Sequence, residues 1–267
     1  MNLRSGQQGF TLIELIMVIV IGGILAMGVT SFITHSVGGY VDTARRQALG
    51  GAGMVAAEKL ARAARNALPN SIRVSGNCLE LIPVLAGSSY VSAPVTTAAS
   101  SFQVAAYSAT QSVEGRVAIY PINVAALYSP GTTTSLSSAV ATLPAGSDEV
   151  TLSFGSASHR FPTDSPNRRF FMVDTPVAYC QNGNRIIQFN NYGFVANLAS
   201  LATELAKPST TRALLVDRVT ADSLHWNYLP GTLQRNAVVR VSFQLQDPQV
   251  PSETVDIEQE IQIRNVP

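Results

Sequence analysis

The sequence has little charge and few of the residues that bind metals or perform covalent catalysis. Of its 267 residues 13% are charged, the formal net charge is +1, and there are three histidines and two cysteines. A balance so close to neutral gives no electrostatic basis for a nucleic-acid partner. Apolar residues make up 46% of the chain, which argues against disorder and suffices for a substantial core.

The sequence also lacks the short motifs of common catalytic and nucleotide-binding sites. The patterns G-x-S-x-G, H-E-x-x-H, S-x-x-K and the phosphate-binding loop do not occur. The three histidines, His35, His159 and His225, fall in separate predicted elements. We therefore expect no enzyme active site, no metal and no cofactor.

The two cysteines, Cys78 and Cys180, form no C-x-x-C pair and have no histidine beside them, so their spacing does not favour a zinc site. In an exported protein a disulfide between them is the natural prediction. Two buried free thiols are the alternative.

Residues 10–33 form a nearly continuous apolar run that contains one carboxylate, Glu14. As a helix at 1.5 Å per residue the run spans roughly 36 Å, enough to cross a membrane core of about 30 Å. A secretory signal is the other ordinary interpretation, but the run is longer than a typical signal core. Neither interpretation explains Glu14, because a carboxylate within a membrane helix costs about 2.5–3.5 kcal/mol on insertion scales.

Residues 9–15 read GFTLIEL, which resembles the processing site of type IV prepilins and of the pseudopilins of type II secretion. The resemblance implies a leader over residues 1–9, cleavage between Gly9 and Phe10 by a prepilin peptidase, and N-methylation of Phe10 by the same enzyme. It implies that Glu14 sets the axial register in a filament by pairing with the terminal amine of a neighbouring subunit. The implied partners are other major and minor pilins, the inner-membrane assembly platform and membrane lipid. The implied location is the bacterial inner membrane with a periplasmic head, and later a pilus or pseudopilus.

The pattern beyond the apolar run predicts one long helix followed by a β-rich head. Small and apolar residues recur every three or four positions from Val41 to Ala67, which predicts an amphipathic half of the helix over residues 34–69, ended by Pro69. Residues 70–267 are predicted to form a globular head, with strands that include 169–180, 194–197, 237–246 and 254–264. The predicted fold class is α+β and pilin-like, with the long N-terminal helix packed on an antiparallel sheet.

Residues 86–147 contain only two charged residues, Glu114 and Arg116, and are rich in Ser, Thr and Ala. We expect an insertion in the head with short strands and a mobile surface. The single tryptophan, Trp226, lies in a predicted strand. A core anchor is the preferred interpretation, and stacking on a carbohydrate is the alternative.

A narrower resemblance extends into the head. The segments concerned are 65–74, 78–83, 159–162, 165–166, 168–170 and 176–180. They are similar to a minor pilin of the mannose-sensitive haemagglutinin (MSHA) pilus, and the same features suit the J-type minor pseudopilin of type II secretion. Major pilins have a proline within the apolar helix, and its absence here favours the minor classes. The resemblance implies a part in filament initiation, near the tip.

Overall fold

The computed structural model of the chain describes residues 9–232 and 235–263. These residues fall into two compact units that divide between Ala48 and Leu49. One helix, α1 (Leu12–Arg65), contributes to both units. In the first unit every described side chain is exposed except that of Arg45, which is half-buried.

The described part of the second unit consists mainly of short strands, with two short helices, α2 (Val124–Leu127) and α3 (Leu201–Leu205). In chain order the strands are β1 (Arg73–Ser75), β2 (Cys78–Leu81), β3 (Val84–Ser89), β4 (Ser101–Ala105), β5 (Val113–Ile119), β6 (Leu136–Leu143), β7 (Glu149–Ser153), β8 (Arg169–Val173), β9 (Val177–Asn182), β10 (Arg185–Asn190), β11 (Thr211–Val216), β12 (His225–Leu229), β13 (Ala237–Gln246) and β14 (Thr254–Ile263).

The C-terminal part of α1 packs on two antiparallel sheets. A five-stranded sheet has the order β1-β2-β9-β10-β11, and a three-stranded sheet has the order β12-β13-β14. Their shared core is apolar and contains Leu49, Ala56, Ala57, Leu60, Ala61 and Ala64 of α1 together with Leu79, Leu81, Ile186, Trp226, Val239, Val241, Phe243, Leu245 and Ile261 of the sheets. A long N-terminal helix on antiparallel sheets confirms the predicted α+β, pilin-like fold class.

The buried stripe of α1 differs in detail from the predicted one. Val55, one of the recurring apolar residues of the predicted stripe, is 58% exposed, whereas Leu49 and Gly53, outside that stripe, are buried. A β-carbon placed on Gly53 would lie 2.6 Å from two side-chain carbons of Ile257. Glycine therefore lets the helix approach β14 closely at this point. The other α1 glycines have no such neighbour, so their open positions give no packing reason for glycine.

The helix ends at Arg65, earlier than the predicted end at Pro69. The backbone beyond it pairs with the segment that enters β3: Leu68 N–H donates to Ile82 C=O at 2.8 Å, and Val84 N–H donates to Asn66 C=O at 3.0 Å. These bonds replace further helical turns before Pro69 is reached.

Residues 86–147 belong to a third, six-stranded antiparallel sheet of order β3-β8-β5-β6-β7-β4. Its two outer strands approach each other where Tyr90 and Val104 form an antiparallel bridge, so the sheet closes into a small barrel. Phe102 lies at its centre, with the rings of Phe154, Phe161 and Phe170 6.2–6.3 Å away. The structural unit extends beyond the predicted insertion at both ends, because β3 begins at Val84 and its partner β8 ends at Val173.

Two strand predictions were wrong in an informative way. The predicted strand over residues 169–180 is two strands of different sheets, β8 and β9, separated at Pro176, which has no N–H to donate. Residues 194–197 form no strand, and the carbonyls of Val195 and Ala196 instead accept hydrogen bonds from the guanidinium of Arg73. In contrast β13 matches its predicted bounds, and the described part of β14 begins where predicted.

Candidate functional site

The predicted processing position lies immediately before α1. Gly9 and Phe10 are outside the helix and exposed, and the Phe10 side chain is 80% exposed. Among the described residues, no helical hydrogen bond or packed side chain covers this peptide bond, which leaves it open to a protease. The rest of the predicted leader, residues 1–8, lies outside the described residues.

Glu14 takes part in a capping box at the first turn of α1. The backbone N–H of Glu14 donates to Thr11 Oγ1 at 3.3 Å, and the backbone N–H of Thr11 donates to Glu14 Oε2 at 3.5 Å. The Thr11 hydroxyl also donates to Glu14 Oε2, at 3.4 Å. This reciprocal pattern satisfies two N–H groups that a helix start otherwise leaves open.

The capping box gives the carboxylate a local role that the sequence analysis missed. The signal was present as T-x-x-E at residues 11–14, which is the usual spacing of the motif. Both partners lie on the C-terminal side of the predicted cleavage position. Removal of the leader would therefore leave the capping box intact and place the new amine one residue before Thr11.

The helix beyond Glu14 is long and apolar enough to cross a membrane, by length and composition. Several of its polar side chains within the first unit, those of Thr30, Thr34, His35 and Thr43, bond to the backbone of their own helix. The hydroxyls of Thr30 and Thr43 donate to the carbonyls of Ala26 and Gly39, both at 2.8 Å. His35 Nδ1 lies 2.8 Å from Ser31 O and so donates its proton there. Such internal bonds reduce the cost of polar groups in an apolar environment.

The head contains a buried ion pair between Arg73 of β1 and Glu80 of β2, which face each other across the strand pair. Glu80 is fully buried and also accepts a hydrogen bond from the Tyr192 hydroxyl at 2.9 Å. The Arg73 guanidinium lies 3.4 Å from the centroid of the Tyr128 ring. Burial raises the pKa of Glu80, and the adjacent Arg73 opposes that rise. Burial also raises the pKa of Tyr192 well above its ordinary range.

Because each charge in this group is paired, removing one partner would leave a buried charge behind, which typically costs about 3–5 kcal/mol. The group fixes β1, β2 and the segment before α3 relative to each other. The side chains of the group are at most 9% exposed.

Cys78 and Cys180 are joined by a disulfide in the structure. They face each other across the β2–β9 pair and close a loop with a sequence separation of 102 residues. The cross-link therefore holds the start of the head to a strand that follows the whole barrel.

The remaining candidate residues are dispersed. His159 is buried beside Phe161 in the barrel and lies 2.9 Å from Thr134 O, and burial lowers its pKa. His225 lies on β12, and Trp226 beside it is buried in the shared core with its indole N–H 3.2 Å from Asn77 O, which confirms the core interpretation. Across residues 9–232 and 235–263 no group of three His, Cys, Asp or Glu side chains could hold a metal ion.

Comparison with known proteins adds one match. A family model described as the prokaryotic N-terminal methylation motif matches residues 4–30. Neither the curated proteins nor the solved structures gave a match to this chain.

The match supports a type IV prepilin or pseudopilin, in agreement with the resemblance of residues 9–15. The motif implies processing by a prepilin peptidase and assembly with other pilins, and it suggests a structural protein. Together with the apolar helix it suggests anchoring in a membrane.

Proposed function

We propose that the chain is a non-enzymatic minor pilin of an MSHA-type type IV pilus, similar to MshO, with a part in pilus initiation near the tip. The observation that carries the proposal is the processing motif directly before a long apolar helix whose first turn holds a carboxylate. The resemblance of head segments, from 65–74 to 176–180, supports the MSHA assignment. The absence of a proline from residues 10–33 supports a minor rather than a major subunit.

In this proposal the chain has four parts. Residues 1–9 are a leader that a prepilin peptidase removes between Gly9 and Phe10, after which Phe10 is N-methylated. Residues 10–33 are the membrane and assembly helix, residues 34–69 its amphipathic half, and residues 70–267 the periplasmic head. A disulfide in the head suits the oxidising periplasm.

Glu14 is proposed to have two successive partners. In the free subunit the capping box gives its carboxylate hydrogen bonds within its own helix. In the filament the carboxylate would meet the terminal amine of a neighbouring subunit, a stronger partner in a low-dielectric environment. A wrong axial offset would leave both charges unpaired, and that cost would select one register.

A gene deletion tests the choice of filament. In a host with both systems, the proposal predicts that the deletion removes surface pili and that the full-length chain restores them, while type II secretion continues. Loss of secretion with normal pili would assign the chain to the J-type minor pseudopilins instead. Normal pili together with normal secretion would contradict both assignments.

A further inference from the structure

Two open grooves lie beside the last turns of α1 and share Asn66. One has a volume of about 540 Å³ and is bordered by Arg65 and Arg169. The other has a volume of about 510 Å³ and is bordered by Lys59 and Arg62. We call the two grooves together, with these four cations, the cationic cleft.

The charge of the cationic cleft is one-sided. No Asp or Glu of the described chain lines either groove. The side chains of Lys59, Arg62 and Arg169 are exposed and make no hydrogen bond or ion pair with another described residue. Arg65 has one distant partner, Glu58, at 3.9 Å. Four positive charges are therefore gathered with at most one weak counter-charge.

A third groove, on the β14 side of α1, contains Glu58, Asp256 and Glu258 and also reaches Lys59 and Arg62. In the described residues none of these three carboxylates forms an ion pair with Lys59 or Arg62, and Glu258 is 3.8 Å from Arg240 instead. The acidic side chains nearby thus leave the cationic cleft unneutralised.

The fold itself places the cations along one line. Lys59, Arg62 and Arg65 follow each other at intervals of three on α1, so they share one helix face. The end of that face is tied to β3 because Asn66 Nδ2 donates to Val84 O at 2.9 Å. Strand β3 pairs with β8, where Arg169 lies opposite Ser89, at the other end of β3 from Val84. Arg169 lines the same groove as Arg65 and Val84.

The floor of the cationic cleft is apolar. Leu81, Pro83, Val177, Leu214 and Leu215 line the groove beside Lys59 and Arg62, and Leu214 is 58% exposed. Ala213, Leu214 and Leu215 are successive residues of β11, which pairs only with β10 among the described strands. The outer edge of β11 therefore has backbone groups available to an added extended segment.

We propose that the cationic cleft binds an extended segment of another protein in which acidic and apolar side chains alternate. The acidic side chains would meet Lys59, Arg62, Arg65 and Arg169, and the apolar ones would cover the floor. A small free anion would leave the apolar floor exposed. A nucleic acid has no apolar side chains with which to cover that floor. That the partner is a neighbouring filament subunit rests on the proposed function, but the binding chemistry does not.

The test uses the full-length protein in a non-ionic detergent and a fluorescent peptide of about eight residues that alternates Glu and Leu. Fluorescence anisotropy measures the dissociation constant. The proposal predicts saturable binding that weakens as NaCl rises from about 0.05 M to about 0.5 M, because salt screens exposed charges. A matched peptide with Lys in place of Glu should bind at least about tenfold more weakly.

Charge-reversal variants locate the site. Arg62→Glu and Arg169→Glu should each weaken binding of the Glu–Leu peptide by about fivefold or more. The control is Arg185→Glu, because Arg185 is exposed and lies away from the cationic cleft. The next residue of β10, Ile186, faces α1, and successive residues of a strand point to opposite faces of the sheet. This control should stay within about twofold of wild type.

Equal effects of the three substitutions, or equal binding of the Lys–Leu peptide, would overturn the proposal. Self-association of the protein that Arg62→Glu abolishes would assign the cationic cleft to a second copy and would also overturn it. The assay needs no filament, so it tests peptide binding separately from the pilin assignment. The peptide could fail to bind to a true pilin, and it could bind to a protein that is not a pilin.

Discussion

Glu14 has two separable roles in this account, and three substitutions distinguish them. Glu14→Gln keeps a side-chain oxygen for the capping box but removes the charge. Glu14→Ala removes both the oxygen and the charge. Thr11→Ala removes the cap partner of Glu14 and leaves the charge in place.

The expected magnitudes follow from the contacts. The capping bonds are long, 3.3–3.5 Å, so we expect their loss to cost about 1 kcal/mol, roughly fivefold in an equilibrium. Loss of the charge would leave the neighbouring amine buried and unpaired, at a cost of about 3–5 kcal/mol, which is more than about 100-fold. Thr11→Ala should therefore change incorporation into filaments by no more than about fivefold, whereas both Glu14 variants should nearly abolish it.

The assay measures the subunit in sheared filaments relative to the membrane pool by quantitative immunoblot. Mass spectrometry of the membrane pool checks that each variant is inserted and processed. Wild-type incorporation of Glu14→Gln would refute the charge-pairing argument and leave Glu14 with the capping role alone. A defect in Thr11→Ala as large as that in Glu14→Ala would also contradict it.

Three further predictions concern the head and use the fluorescence of its single tryptophan during urea unfolding of the full-length protein. Gly53→Val should destabilise the head by about 1–3 kcal/mol, because a β-carbon there would lie 2.6 Å from side-chain carbons of β14. Gly51→Val should not destabilise it, because Gly51 has open space around it. Equal stabilities of the two variants would contradict the close packing of α1 on β14. Burial and the hydrogen bond to Asp164 raise the pKa of Tyr90 to about 12, so stability linked to Tyr90 is intact below about pH 10 and falls as the pH rises toward 12. Tyr90→Phe should make that fall shallower by up to about 1.4 kcal/mol per pH unit, and an unchanged slope would be the adverse result. Replacing Cys78 and Cys180 by Ser should cost about 4–5 kcal/mol for a closed loop of about 100 residues, and the reductant that destabilises the wild type should leave the double variant unaffected.

The parts of the fold that the sequence predicted well have strong local signals. Strand β13 alternates apolar and polar residues from Val239 to Gln246, and its observed bounds equal the predicted ones. The fold class was predicted from the spacing of apolar residues, which recur every three or four positions in the long helix and alternate in strands of the head. The processing motif was readable because its residues are contiguous in the chain.

The barrel was harder to predict because its strands lack such a signal. Strand β3 contains Gly87, Ser88 and Ser89, and β6 contains two successive serines, residues with little strand preference. Their pairing depends on strands far away in the chain, such as β8 for β3. Residues 86–147 are poor in charge, so they were predicted to have a mobile surface. Most phenylalanines of the barrel core, Phe154, Phe161 and Phe170, lie beyond residue 147, so this segment alone did not reveal the core.

The candidate site shows the same division between local and distant information. The capping box was within reach of sequence analysis, as the spacing of Thr11 and Glu14 was visible. The cationic cleft was not, since Arg169 shares a groove with Arg65 only because β8 pairs with β3 in the folded head. Charge clusters that several elements build together become apparent only in the folded chain.

If the chain is a prepilin, its mature form begins at Phe10. Mass spectrometry of the N-terminal peptide from cells that contain the cognate prepilin peptidase tests it most directly. We expect a peptide that starts with N-methylated Phe10, and an unprocessed precursor when the peptidase is absent. A mature protein that retains Met1, or that begins after the apolar run as a cleaved signal peptide would leave it, would contradict the account.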